Sequence, residues 1–204
     1  MLHSYNMIKK ILLNNKSFNY SVNELPCLIH GKEKMGASLF TMSLVADLYT
    51  QGYKLLCITG YPMAKDEFLS QTGAEDETIS ISNVINQTTE LNKKALFVTK
   101  ENPLAFIQLT KMMSDINERV ILLKNIDLLN KDVFEAVKYH QKLIVSGDFD
   151  NCDFSDDILK INFNSKVFFS PPSKNFEGIY LPSLEHYHGY FKSQLNNGDI
   201  YIRI

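Results

Sequence analysis

Tryptophan is absent, cysteine occurs only three times, and no apolar run approaches the ~18 residues that a membrane-crossing helix needs. Cys27, Cys57 and Cys152 lie far apart and form no CxxC pair. That spacing excludes a disulfide scaffold and a zinc ribbon, and it points to reduced, buried thiols in a cytoplasmic protein. Charge of one sign is also missing, since 21 Lys and Arg oppose 23 Asp and Glu for a net charge of −2. Without a basic field, nucleic-acid binding has no support from overall charge, although a local patch stays open. The "MIKKILL" segment, 7–13, lacks the long apolar stretch of a signal peptide and reads as a short amphipathic helix, so no membrane insertion is expected.

What the chain does have is 45% hydrophobic and 22% charged residues in 204, enough for one substantial core and the balance of an ordinary globular protein. Apolar runs without polar alternation recur at 27–30, 54–59, 95–99, 120–123 and 143–146. Such runs suit strands covered on both faces. Helical patterns separate them at 37–51, 64–71, 103–117 and 132–140. Strand and helix in this alternation predict an α/β fold with a mostly parallel sheet. Gly52 reads as a left-handed helix end and Pro103 as a first helical residue. "TISIS" suggests a short strand, and "NVINQTTEL" a helix. Near the C-terminus, "DILKINFNSKVFFSPPS" contains two β-like runs, and Asn197-Gly198 between alternating segments signals an antiparallel hairpin. The expected organisation is one domain over 1–204, with a lead-in at 1–25, a core at 26–170 and a hairpin extension at 171–204.

The chemistry concentrates in Gly31-x4-Gly36-Ala37-Ser38, set between an apolar strand and an apolar helix. Glycines in such a loop let backbone N–H groups converge on phosphate oxygens. A following lysine bridges the terminal phosphates, a hydroxyl holds Mg²⁺, and the next helix presents its positive end. Here the spacing, both glycines and the hydroxyl are present, but Ala37 stands in the lysine position. The segment resembles the P-loop NTPase superfamily. The order of further strands and the polar tip of "KLIVSGD" resemble its RecA-like division, including KaiC-type and HerA-type ATPases. The strand "NSKVFF" followed by "YHGYF" is similar to the ending of HerA-like and conjugative coupling ATPases.

The resemblance implies a three-layer, RecA-like P-loop NTPase-like fold and ATP as the ligand. It places Gly31, Lys32, Glu33, Lys34, Met35, Gly36, Ala37 and Ser38 at the nucleotide, with Asp127 and Ser146 at strand ends. Lys32 and Lys34 either reach a phosphate from the other side of the loop or are solvated charges. Both signature motifs are degenerate, because "RVILLKNIDLL" ends its strand in Lys124-Asn125 where an acidic pair would hold Mg²⁺. Asp127 lies too far along an extended strand to replace that pair unless the chain turns back, and it reads as a cap or boundary of the next helix. No catalytic residue or metal ligand is assigned, and Mg²⁺ is not expected.

Other constellations are weaker. His186-x-His188 has metal-pair spacing but no third ligand, and an aromatic sheet face explains "HYHGYFK" better than a stacking surface for single-stranded nucleic acid. "DNCDFSDD" lacks the ligand spacing and closing glutamate of a calcium loop. No nucleophile elbow surrounds any Ser or Cys. The sequence therefore suggests an inactive or weakly active ATPase relative, a nucleotide-binding or structural subunit with protein partners or copies of itself. An active ATP-driven nucleic-acid motor using Lys32 or Lys34, Ser38 and Asp127 is the alternative, and an interaction protein without nucleotide is another.

Overall fold

The computed structural model describes residues 11–13, 16–18, 20–81, 91–173, 184–185, 187–194 and 200–204. In chain order its elements are β1 (Ile11–Leu13), β2 (Lys16–Phe18), β3 (Cys27–His30), α1 (Ala37–Thr50), β4 (Leu55–Thr59), α2 (Ala64–Thr72), β5 (Thr78–Ser80), β6 (Ala95–Thr99), α3 (Pro103–Met112), β7 (Val120–Lys124), α4 (Lys131–Glu135), β8 (Leu143–Gly147), α5 (Ser155–Leu159), β9 (Ser165–Phe168), β10 (His188–Ser193) and β11 (Ile200–Arg203). All strands join one sheet in the order β2-β1-β11-β10-β9-β3-β8-β7-β4-β6-β5. From β9 to β5 every pairing is parallel, and from β9 outward to β2 every pairing is antiparallel.

The parallel strands are largely apolar because helices cover both of their faces. Alternate side chains sort into two cores. Cys27, Ile29, Cys57, Leu122 and Ile144 meet Phe40, Val45 and Leu48 of α1 and Phe68 of α2. Leu28, Ile58, Leu123 and Val145 meet Phe106 of α3, Phe134 of α4 and Ile158 of α5. The result is the three-layer α/β architecture expected from the strand and helix rhythm. All three cysteines are buried. Gly52 takes its left-handed turn (φ 103°), Pro103 opens α3, and "TISIS" contributes β5.

The antiparallel end brings corrections. The hairpin strands β10 and β11 pair as expected, with Tyr190 opposite Tyr201, while their Asn197-Gly198 turn lies outside the described residues. Residues 11–13, expected in a helix, form β1 between β11 and β2, where strand pairing satisfies an otherwise open sheet edge. Of the two β-like runs near residue 160, only the second is a strand. The start of the first, as far as Leu159, belongs to α5, whose opening acids Asp156 and Asp157 suit a helix N-terminus. The helices expected over 103–117 and 132–140 stop earlier, at Met112 and Glu135. The "NVINQTTEL" helix falls outside the described residues apart from Leu91.

Candidate functional site

The C-terminal ends of β3, β8, β7 and β4 open onto a cleft of about 1070 Å³, the position where parallel α/β sheets bind ligands. Register sets two of its lining residues, Ser146 and Lys124, side by side. Ile29, Ser146, Lys124 and Thr59 lie in one row across β3, β8, β7 and β4. By strand alternation the row faces α1 and α2.

The 31–38 loop forms one wall. Lys34 (φ 64°) and Gly36 (φ 108°) both take left-handed backbone conformations, the alternation that turns successive N–H groups toward one side. The N–H groups of Gly36, Ala37 and Ser38 meet no acceptor among the described residues. α1 then begins at Ala37, so its positive end adds to the same wall. Gly31 must lack a side chain, because a Cβ there would stand 2.6 Å from the Ala37 Cβ and 3.0 Å from the Phe169 Cβ. The C-terminal extension closes the loop from outside, with the Tyr187 N–H donating to the Met35 carbonyl at 3.2 Å and the Ile204 N–H to the Tyr187 carbonyl at 2.9 Å.

The residues expected at the site divide. Gly31, Lys32, Glu33, Lys34, Gly36, Ala37, Ser38, Asp127 and Ser146 line the cleft. Met35 does not, and packs instead against the α1-side core. Lys32 Nζ leans back to Asp150 Oδ2, 3.5 Å away, and its N–H donates to Ser170 Oγ at 3.0 Å. Ser146 is a tie rather than a free sensor. Thr41 Oγ1 donates to the Ala37 carbonyl at 2.7 Å, which leaves the 2.7 Å contact between Ser146 and Thr41 to a Ser146 proton.

Asp127 reaches the cleft because the chain does turn back. β7 ends at Lys124, Asn125 is left-handed (φ 59°), and a 3-10 turn follows over Ile126–Leu128. Gly147 permits this approach, since a Cβ there would stand 2.6 Å from Asp127 Oδ1. Asp127 Oδ1 accepts the Asp148 N–H at 3.0 Å. Of the expected roles, the cap of the next helix falls to Asn130, and Asp127 lies in the turn that precedes it.

Sequence reasoning missed Lys124 as a site residue. Its side chain is 4% exposed and its Nζ lies 3.2 Å from Glu67 Oε2 of α2, at the strand end where a metal-binding carboxylate was sought. An ammonium there, with Asp127 the nearest acid along the chain and already bonded, does not fit Mg²⁺. The signal in the sequence was a charged residue closing an apolar strand.

On the opposite face, His30 accepts the Phe149 N–H at Nδ1 (3.2 Å) and contacts Ser170 Oγ through Nε2 (3.3 Å). Burial pushes its pKa down, against the nearby Asp150 and Asp148. Asp148 in turn caps the next turn by accepting the Asp150 N–H at 3.1 Å. Within "DNCDFSDD", Asp150 pairs with Lys32 and accepts from Ser173, and Asp157 pairs with Lys131 and Lys160. Of the histidine pair, His188 lies in β10 and His186 outside the described residues.

No family profile and no curated protein sequence matches the chain. Among solved structures it is similar to the genome packaging NTPase B204 from Sulfolobus turreted icosahedral virus 2, determined in complex with AMPPCP. The identity is 12%, the TM-score 0.58, and the match covers 90% of this chain and 98% of that one. The fold is P-loop NTPase-like. A second similar structure is the flagellar accessory protein FlaH from Methanocaldococcus jannaschii, at 12% identity and TM-score 0.48 over 91% of this chain and 88% of that one. Among the described residues no helix is long and apolar enough to cross a membrane.

Proposed function

We propose that the chain holds a nucleoside triphosphate by its phosphates at the 31–38 loop, without efficient hydrolysis, as a nucleotide-binding or structural subunit of a larger protein assembly. One observation carries this reading: the left-handed Lys34 and Gly36 leave unpaired N–H groups at the start of α1, facing a cleft of nucleotide size. The AMPPCP complex of the packaging NTPase supports the choice of ligand class. Hydrolysis is disfavoured because Ala37 offers no ammonium to the transition state and β7 ends in a base where an acid would seat the metal. Exposed Tyr61 and Met63 at the cleft mouth, 54% and 67% accessible, support a protein partner there.

Calorimetric titration with ATP, paired with a phosphate-release assay, tests the reading. Binding with release at background is expected. Absence of binding would leave a structural subunit or an interaction protein without nucleotide. The turn that brings Asp127 onto the cleft favours a second reading, an ATP-driven motor with Asp127 as its carboxylate. Release that Asp127→Ala abolishes would establish that alternative.

A further inference from the structure

We infer that Lys124 supplies the cation of this site, taking phosphate oxygens of a metal-free nucleotide while Glu67 holds its ammonium when the cleft is empty of ligand. The inference rests on the nucleotide-binding reading and names its binding mode. Lys124 ends β7 beside Ser146, whose hydroxyl is tied through Thr41 to the first residue of α1. With neighbouring strands about 4.8 Å apart, its Cα stands two strands, roughly 10 Å, from the β3 row that leads into the 31–38 loop. A four-carbon stem can cross much of that gap.

The ammonium itself points to a ligand. It has three donors, is 4% exposed and lines the cleft. Among the described residues its sole hydrogen-bond or ion-pair partner is Glu67 Oε2. A charge so buried, with donors to spare, calls for further acceptors. Glu67 is 43% exposed and belongs to α2, so its carboxylate can return to water when an anion arrives. A second cation at this strand end would meet the ammonium at close range, where like charges repel. Lys124 thus replaces both absent parts of the usual phosphate site, the loop lysine and the metal.

A purely structural ion pair would behave differently. Removing either partner would then lower stability and leave ligand affinity alone. If Lys124 binds phosphate and Glu67 competes for it, the two substitutions move affinity in opposite directions.

Calorimetric titration of the full chain with ATP, and separately with inorganic pyrophosphate, in EDTA and in excess Mg²⁺, distinguishes these cases. Wild type should bind ATP at least as tightly in EDTA as in Mg²⁺. Lys124→Gln should weaken binding in EDTA by about tenfold or more, and Glu67→Gln should strengthen it by up to about tenfold. Lys124→Met, which keeps the stem and removes the charge, serves if the glutamine variant melts below the assay temperature. ATP binding that requires Mg²⁺, or that survives both Lys124 substitutions unchanged, overturns the inference and leaves the nucleotide reading intact. Failure of wild type to bind ATP or pyrophosphate in either buffer removes both.

Discussion

Replacing Ala37 with lysine restores the residue that the phosphate loop lacks. Ala37 is 5% exposed, begins α1 and lines the cleft, and it sits so close to Gly31 that only a bare Cα fits opposite. If the loop is a phosphate cradle, a lysine at 37 starts from the cleft wall within reach of a β- or γ-phosphate. One charge-assisted contact is worth about 1.5–3 kcal/mol, and ordering a lysine side chain costs up to about 2 kcal/mol. A net gain near 1.4 kcal/mol corresponds to roughly tenfold tighter ATP binding. If Lys124 already neutralises the phosphates, the gain should be larger in the Lys124→Gln background than in wild type, a coupling that a double-mutant cycle measures. Phosphate release should stay at background in every case, because neither change places a carboxylate at the end of β7. Calorimetry in EDTA and in Mg²⁺, with circular dichroism to verify folding, provides the comparison. A folded Ala37→Lys protein that gains no affinity in either background would refute the reasoning, and would mean that the 31–38 loop is not a phosphate cradle.

Arg119 is fully buried at the far end of the sheet, donating to the Leu55, Leu91 and Lys93 carbonyls at 3.1–3.2 Å and pairing with Asp115 at 3.2 Å. Arg119→Ala should cost about 3–5 kcal/mol, roughly 6–20 °C in Tm, with little rescue by lysine, which lacks the planar fork; an unchanged thermal melt would contradict this. Phe191 of β10 is wholly buried against the α1-side core, so Phe191→Ala should cost about 3–5 kcal/mol, and truncation at residue 185 should leave an insoluble or unfolded chain. Retention of the wild-type melting temperature by the truncated chain would show that the extension is peripheral. Burial lowers the pKa of both His30 and His140. Their folded values lie below the unfolded one near 6.5, so the unfolded chain binds more protons as pH falls; their contribution is complete above about pH 6.5 and is lost below it, by at most about 1.4 kcal/mol per pH unit for each. Thermal melts between pH 7.5 and 5 should show the decline, reduced in His30→Gln, and a Tm independent of pH in wild type would rule it out.

The layers were legible in local sequence. Strands β3 and β6 match their apolar runs residue for residue, because a parallel strand buried on both faces writes its whole length in apolar side chains. The start of α1 and the glycine-bounded loop were legible for a similar local reason, since left-handed backbone and close approach select glycine. Tertiary structure alone decided what depends on partners distant in the chain. The strand at 11–13 has too few residues to declare itself, and it enters the main sheet by pairing with β11 near the other end of the sequence, with β2 on its outer side. Asp127 looked out of reach until the left-handed Asn125 and the bare Cα of Gly147 folded it onto the cleft. Lys124 carried the least local information. In sequence it is a lysine where an acid was expected, and its meaning comes from burial beside Glu67, 57 positions away, because the cost of an enclosed charge exists only once the chain has closed around it.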